Sequence, residues 1–194
     1  MTNNKIINIE EFIKENNITT IYLDVDGVLF ASCQACAEII NEMQDTDFDG
    51  SDVLDWDFKS ICPTITDKDV EEMFVSDNFF QRVQWVKGAL DFVRLHRDNI
   101  IIITHSATDN FIMKRIFFDN YGLEDIPIIP IPLSVSKSVI NMCSTTKGKS
   151  LFIDDSTMNL LVSNANYTIQ FREYKDNKKR DWQENWFGDI MYEW

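Results

Sequence analysis

Two aspartates, Asp24 and Asp26, stand two residues apart after the apolar run Ile21-Tyr22-Leu23. The run predicts a buried strand, and Gly27 predicts the turn that ends it. Because side chains alternate along an extended segment, both carboxylates are expected to project into one pocket at the carboxyl end of the strand. Two like charges this close need a cation between them or a proton on one of them. The pair therefore predicts a metal site, an acid/base carboxylate or both; the alternative is a turn in which the aspartates only bond to backbone amides.

Three further polar elements follow or separate short apolar runs in the same way. Thr104-His105-Ser106 follows the run at 100–103, Asp154-Asp155 follows the run at 151–153, and Lys137 lies between them. Ligand sites in open α/β sheets gather beyond the carboxyl ends of the strands. The four elements are therefore expected to converge on one site.

The elements that must position these residues alternate along the chain. Short apolar runs alternate with helix-like segments, which predicts an α/β fold with a Rossmann-like parallel sheet flanked by helices. Strands are predicted at 20–23, 100–103, 126–133, 151–153 and 167–171. Helices are predicted at 9–16, 35–43, 67–74, 88–97, from a cap at Thr108 or Ser106 to a stop at Gly122, and at 158–163. Thr66 is expected to cap the helix at 67–74.

Two regions stand apart from this alternation. Residues 33–85 show helical and acidic segments without strand alternation, so we expect a small helical cap inserted after the first strand. The α/β core is then formed by 1–32 and 86–194. The aromatic residues of 172–194 predict a helix that docks on the core.

Composition limits the classes of partner. With 194 residues, 44% of them hydrophobic, the chain can bury a full core as one domain with a modest insertion. A formal net charge of -14 disfavours binding of a nucleic acid polymer. No apolar segment approaches the roughly 18 to 20 residues of a membrane span, and the start of the chain lacks the pattern of a signal peptide. We expect a soluble cytoplasmic protein, a monomer or a homodimer, without membrane contact.

The cysteines do not form a convincing metal-binding pattern. Cys33 and Cys36 give one CxxC, but Cys62 and Cys143 are single and far apart, without the repeated spacing of a zinc site. The neighbours of the CxxC offer no cation that would lower a thiol pKa for redox chemistry. The pair is expected to lie on a helix as small, partly buried residues in a reduced compartment.

The four polar elements together resemble the signature of the haloacid dehalogenase superfamily of phosphohydrolases. That signature runs DxDG, a Thr or Ser after a strand, a Lys, and a closing carboxylate pair, and all four occur here in this order between residues 19 and 160. A closer likeness is to the 5′(3′)-deoxyribonucleotidases. It is carried by DWDFKS at 55–60, DNFFQRV at 77–83, KGALDFV at 87–93 and LFIDDS at 151–156.

The resemblance implies a role for each carboxylate. Asp24 would attack phosphorus to form an aspartyl phosphate, and Asp26 would act as general acid and then as general base. Mg²⁺ would be held by Asp24, the backbone carbonyl of Asp26, and a carboxylate of Asp154 or Asp155. The superfamily commonly places a cap after the first strand, as predicted here for 33–85.

The resemblance also implies a phosphate-binding set. Thr104, His105, Ser106 and Lys137 would hold the transferring oxygens, although the mechanism needs no imidazole from His105. Lys147 and Lys149 are alternatives to Lys137. Lys137 opens an apparent helix, SKSVINM at 136–142, and is favoured because it lies a helix and a loop ahead of Asp154.

The closer likeness implies a nucleoside monophosphate as the small phosphorylated substrate. Aromatic residues of the cap could stack on the base or could form the core of the cap: Trp56, Phe58, Phe79 and Phe80. A sugar phosphate or another small phosphomonoester is the alternative substrate. A non-catalytic phosphate-binding or signalling module fits less well, because DxDG comes first, the acidic pair comes last, and Asp26 is retained.

Overall fold

The computed structural model describes residues 4–143, 148–176 and 178–194. Its centre is a six-stranded parallel sheet in the order β3-β2-β1-β4-β5-β6. The strands are β1 Ile18–Leu23, β2 Ile100–His105, β3 Ile128–Ile131, β4 Lys149–Asp154, β5 Tyr167–Phe171 and β6 Asp189–Met191. The predicted α/β fold with a parallel sheet is confirmed.

The central strand β1 places the first aspartates between two neighbours. Ile21 pairs with Ile100 of β2 and with Leu151 of β4. Leu23 at the end of β1 is fully buried, since helices cover both faces of a parallel sheet. The carboxyl ends of β2, β1 and β4 therefore lie side by side, which is where the predicted site residues occur.

Seven α-helices surround the sheet in the described part of the chain. They are α1 Ile9–Asn16, α2 Ser32–Gln44, α3 Asp67–Val75, α4 Asp77–Arg82, α5 Ala89–Leu95, α6 Thr108–Asn120 and α7 Thr157–Val162. Thr66 caps α3 as predicted, in a capping box with Asp69. The predicted cap of α6 is wrong, because the N-cap is Ala107 and no side chain bonds there. Ser106, one of the two predicted caps, instead donates its hydroxyl to Asn110.

The predicted helix in the tail is also wrong. Residues after β5 form a short 3-10 turn, Asp181–Gln183, and then β6, which pairs in parallel with β5. Ile190 and Met191 contact hydrophobic clusters on opposite sides of the sheet, an alternation typical of a strand. The aromatic residues nevertheless pack on the core, and Trp194 stacks on Phe171 with ring centroids 5.4 Å apart.

The segment between β1 and α5 is helical and carries α2, α3 and α4. Its buried residues, including Phe58 and Phe79, belong to the same hydrophobic cluster as Ile21 and Leu23 of the sheet. The bounds of a separate cap at 33–85 therefore stay a prediction. Cys33 and Cys36 lie on α2 as predicted but are fully buried, and burial raises the pKa of both thiols. No helix in the described ranges has the length and apolar character needed to span a bilayer.

The half-buried carboxyl of Glu173 predicts that the stability of the protein depends on pH. Burial raises the pKa of Glu173 to about 7, although the charge of Arg180 acts the other way. The folded protein then keeps this proton up to about pH 7, whereas the unfolded chain releases it near pH 4.5. Raising the pH through this window therefore favours the unfolded chain, by about 3 kcal/mol at most.

Glu173→Gln is expected to remove this pH-dependent loss of stability. The melting temperature of the variant relative to that of wild type should therefore rise as the pH increases from 5 to 8. Thermal unfolding of both proteins across that range measures the difference. Glu124→Gln, at an exposed position, is the matched control. A difference in melting temperature that stays flat with pH would contradict the prediction.

Candidate active site

The polar residues meet at the carboxyl ends of three adjacent strands. Asp24 directly follows β1, Thr104 lies near the end of β2, and Asp154 ends β4. The backbone N–H of Asp24 donates to the carbonyl of Ile153 at 3.1 Å, which extends the pairing of β1 with β4 by one residue. The predicted convergence is what the structure shows for these three residues.

Gly27 allows the turn after β1 to pass close to the acidic pair. Its φ is +72°, in the left-handed region that favours glycine. A Cβ at this position would lie 2.5 Å from Oδ2 of Asp155 and 3.5 Å from the ring of Trp56. Glycine therefore keeps open the space between the turn and the Asp155 carboxylate.

Three buried carboxylates form a group suited to a metal ion. Oxygens of Asp24, Asp154 and Asp155 lie within 4.8 Å of one another. Burial raises the pKa of Asp155 well above its ordinary value, and the charges of Asp154 and Asp24 raise it further. Burial also raises the pKa of Asp24, against the opposing charge of Lys137. Hard oxygen donors converging on one point are the ligands that Mg²⁺ prefers, so this donor set fits the ion.

Lys137 joins two of these carboxylates. Its Nζ lies 2.8 Å from Oδ1 of Asp24 and 2.8 Å from Oδ2 of Asp154, and its side chain is fully buried. Burial alone would lower the pKa of this amine, but the two ion pairs outweigh burial and raise it. Lys137 opens a short 3-10 turn rather than the predicted α-helix.

Of the other two candidate lysines, the structure describes Lys149, which lies away from this group. Lys149 is the exposed first residue of β4, at the opposite end of that strand from Asp154. Its Nζ donates to the hydroxyl of Tyr167 at 2.6 Å. Lys147 lies outside the described residues. Among the described candidates, Lys137 is the one beside the carboxylates.

The two members of the acidic pair have different surroundings. Asp154 accepts hydrogen bonds on both oxygens, from the Ser156 N–H at 2.8 Å, from the Asn159 amide and from Lys137. Asp155 lies in the wall of an open cleft together with Asp24 and Asp26. Asp154 is thus the partner of Lys137, and Asp155 is the member that faces the cleft.

The carboxylate of Asp26 points away from the acidic group. Its Oδ1 accepts from the Ser32 hydroxyl at 2.8 Å, and its Oδ2 accepts from Nζ of Lys114 at 2.5 Å. A metal contact through the backbone carbonyl of Asp26 stays a prediction.

Lys114 on α6 was not among the residues singled out from the sequence. Its side chain is fully buried, and its Nζ also donates to Oγ1 of Thr104 at 2.9 Å. The buried positions of α6 are Asn110, Lys114, Phe117 and Phe118. This helical spacing puts the lysine on the core-facing side, but the exposed Ile112 and Ile116 on the same helix obscure that pattern in the sequence.

The remaining phosphate-binding candidates take different positions. Thr104 is fully buried beside Lys114, whereas Ser106 and His105 line the cleft. Nε2 of His105 bonds the carbonyl of Val135 at 2.9 Å, and burial together with the charge of Lys137 lowers the imidazole pKa. The Ser106 hydroxyl donates to Asn110, whose amide in turn donates to the carbonyl of Phe74 at 2.7 Å. This chain of bonds ties α6 to α3 across the cleft.

The cleft has a volume of about 690 Å³ and a largely apolar wall. Trp56, Val70, Phe74, Val75 and Leu133 supply its apolar surface. Of the four predicted pocket aromatics, Trp56 lines the cleft. Placing Phe58, Phe79 and Phe80 there is wrong: the first two are fully buried in the core, and Phe80 packs against it.

No model of a known protein family matches the sequence. No curated protein sequence matches it either. The fold, however, aligns over most of its length with solved hydrolases. A haloacid dehalogenase-like hydrolase from Streptococcus pneumoniae aligns with a TM-score of 0.52 and 11% identity, covering 91% of this chain and 94% of that one.

A second alignment is with a HAD family hydrolase from Deinococcus radiodurans solved with bound phosphate and sodium. Its TM-score is 0.51 at 13% identity, and 92% of each chain is covered. The parallel sheet and these alignments together show that the chain has the haloacid dehalogenase-like fold.

Proposed function

We propose that this protein is a Mg²⁺-dependent phosphomonoester hydrolase that acts through an aspartyl phosphate on Asp24. The observation that carries the proposal is the buried group formed by Asp24, Asp154, Asp155 and Lys137, of which Asp24 and Asp155 line an open cleft. Three carboxylates and one ammonium in a buried site fit the transfer of a phosphoryl group, which needs a nucleophile and positive charge around the equatorial oxygens.

Asp24 is the best placed nucleophile. It lies in the wall of the cleft, and Lys137 pairs with one of its oxygens. Lys137 makes two ion pairs and so has one N–H left for an oxygen of the transferring group. An ester phosphorus in the cleft can thus be approached by Asp24 while Lys137 stabilises the charge that develops on its oxygens.

Asp24, Asp155 and the backbone carbonyl of Asp26 would hold Mg²⁺. Asp155 is preferred over Asp154 because the hydrogen bonds to Asp154 already occupy both its oxygens. The bound ion would supply positive charge that lets an anionic phosphate approach an anionic carboxylate. Its binding would also favour the ionised form of Asp155, whose burial otherwise favours the proton.

Asp26 is the proposed acid and base. It would give a proton to the leaving oxygen and later take one from the water that attacks the phosphoenzyme. Its carboxylate is partly exposed and lines the cleft. A module that only stores a phosphoryl group has no use for such a group, so turnover is favoured over signalling.

A nucleoside monophosphate is the proposed substrate. The lining of the cleft contains Trp56 and Phe74 but no Lys or Arg among the described residues, and Glu71 and Glu72 stand at its wall. A second anionic group on the substrate would therefore meet no cation there, whereas a neutral base could lie against the rings. Sugar phosphates with one phosphate remain the alternative.

The experiment is phosphate release, with and without Mg²⁺, from deoxy- and ribonucleoside 5′- and 3′-monophosphates and from sugar phosphates. Preference for nucleotides supports the substrate proposal. Preference for sugar phosphates would retain the chemistry and reject the substrate, and absence of release from every ester would reject both.

Trp56→Ala is expected to raise KM for the preferred nucleotide by roughly 5- to 150-fold, because base stacking on an aromatic ring is worth about 1–3 kcal/mol. KM for a small alkyl phosphate should stay within about twofold. Phe187→Ala, at an exposed position away from the cleft, is the control. An equal rise for both substrates would show that Trp56 acts through the fold and not through the base.

A further inference from the structure

We propose that Lys114 is a positioning residue that fixes the orientation of the acid/base carboxylate of Asp26 and of the phosphate-holding hydroxyl of Thr104. The inference rests on the proposed phosphomonoesterase function and adds a residue to it. Nζ of Lys114 lies between Oδ2 of Asp26, at 2.5 Å, and Oγ1 of Thr104, at 2.9 Å. One buried ammonium thus links two groups that would act on different atoms of the substrate.

All donors of Lys114 face the protein. Besides Asp26 and Thr104, the carbonyl of His105 lies 3.5 Å from its Nζ, and the side chain is fully buried. An ammonium has three N–H groups, so none is left for a phosphate oxygen. Lys137 differs in this respect, since it has two carboxylate partners. Lys114 therefore acts through its neighbours.

The carboxylate of Asp26 is held at both oxygens. Ser32, at the start of α2, donates to Oδ1, and Lys114, on α6, donates to Oδ2. Two donors from different helices restrict the rotation of a short side chain that is partly exposed to the cleft. An acid/base group must lie within hydrogen-bond reach of the atom it protonates, so this restraint bears on the rate of proton transfer.

The orientation of the Thr104 hydroxyl follows from the same contact. Because Lys114 donates to Oγ1, the hydroxyl hydrogen must point elsewhere. Its acceptor in this structure is the carbonyl of His105, at a long 3.3 Å. That bond is weak, so Lys114 leaves the hydroxyl hydrogen of Thr104 available to a stronger acceptor such as a phosphate oxygen.

Packing alone does not explain a lysine at this position. Its neighbours on the buried face of α6 include Phe117 and Phe118, and an apolar side chain would fill the site without desolvating an ammonium. A buried ion pair seldom stabilises a fold more than apolar residues of the same size would. The lysine at this position therefore indicates a functional role in the active site.

The test compares two substrates whose need for an acid differs. Lys114→Met should lower kcat/KM for an alkyl phosphate, whose leaving alkoxide must be protonated, by roughly 10²-fold. For 2,4-dinitrophenyl phosphate, whose leaving phenolate needs no proton, the loss should be less than about tenfold. The ratio kcat/KM covers substrate binding and the first phosphoryl transfer, and it excludes the later attack of water.

A double-mutant cycle with Asp26→Asn makes the coupling measurable. If the effect on acid catalysis passes through Asp26, adding Lys114→Met to Asp26→Asn should lower kcat/KM for the alkyl phosphate by less than about tenfold, which is the part that passes through Thr104, instead of by roughly 10²-fold. Lys14→Met, at an exposed position on α1, is the control for loss of a positive charge. Lys114→Gln is measured in parallel in case the methionine variant does not fold.

Selective loss with the alkyl phosphate and a non-additive cycle would support the assignment. Equal loss on both substrates, or additive effects with Asp26→Asn, would overturn the assignment of Lys114. The phosphomonoesterase proposal would still stand in that case, provided that the wild type hydrolyses the esters. A wild type that hydrolyses neither ester would overturn both.

Discussion

Asp24→Asn is expected to abolish phosphomonoester hydrolysis, with a loss of roughly 10⁴-fold or more in kcat. Asparagine keeps the shape of the side chain but is no nucleophile toward phosphorus, and it removes one charged donor from the metal-binding group. Lys137 keeps its ion pair with Asp154, so the variant should fold. Phosphate release measured beside circular dichroism separates loss of chemistry from loss of structure.

Asp98→Asn is the matched control, because it makes the same change at an exposed position. It should leave the rate within about twofold of wild type. A folded Asp24→Asn protein that retains a tenth of wild-type activity would contradict the assignment of Asp24 as nucleophile.

Lys137→Met is expected to lower kcat by roughly 10²- to 10³-fold, since it removes the positive charge nearest the proposed nucleophile. It should also destabilise the protein, because Asp24 and Asp154 lose their shared cation in a buried site. Breaking a buried ion pair by removing one partner costs about 3–5 kcal/mol. Steady-state kinetics and urea unfolding measure the two effects.

Lys149→Met provides the contrast within the same chain. Its side chain is exposed and bonds Tyr167, so the rate and the free energy of unfolding should stay close to wild type. The opposite ranking of the two variants would contradict the choice of Lys137. Restored stability without restored activity in Lys137→Met combined with Asp154→Asn would confirm that the two losses have separate causes.

The sequence could predict the central strands and the residues at their ends for a simple physical reason. In a parallel sheet the apolar runs are buried on both faces, so Asp24, Thr104 and Asp154 stand out as the first polar groups after each run. Parallel pairing then requires that those groups share one edge of the sheet. Neither step depends on details of side-chain packing.

Lys114 could not be found by the same reasoning, because it lies inside a helix. A lysine in an amphipathic helix usually lies on the solvent-exposed face. Lys114 is buried because it lies on the same face of α6 as the buried residues Asn110, Phe117 and Phe118. Its partners Asp26 and Thr104 are 88 and 10 residues away in the chain, so the contact is set by tertiary packing.

The aromatic residues predicted to line the pocket and the tail show the same limit. Trp56 and Phe58 are two residues apart, yet one lines the cleft and the other is fully buried. Composition alone does not distinguish a ring that can meet a ligand from one that fills a core. In the tail, Ile190 and Met191 extend the sheet beside β5 in place of the predicted helix. They do so because the edge of β5 offers unpaired backbone groups for hydrogen bonding.

The most direct measurement is to trap the phosphoenzyme. With 2,4-dinitrophenyl phosphate and Mg²⁺ the first transfer should outpace hydrolysis, so a burst of phenolate should accompany accumulation of an acyl phosphate. Quenching followed by borohydride reduction converts an aspartyl phosphate to homoserine, which mass spectrometry locates in the chain. We predict homoserine at position 24, and none in Asp24→Asn; a phenolate burst without homoserine at that position would contradict an aspartyl phosphate on Asp24.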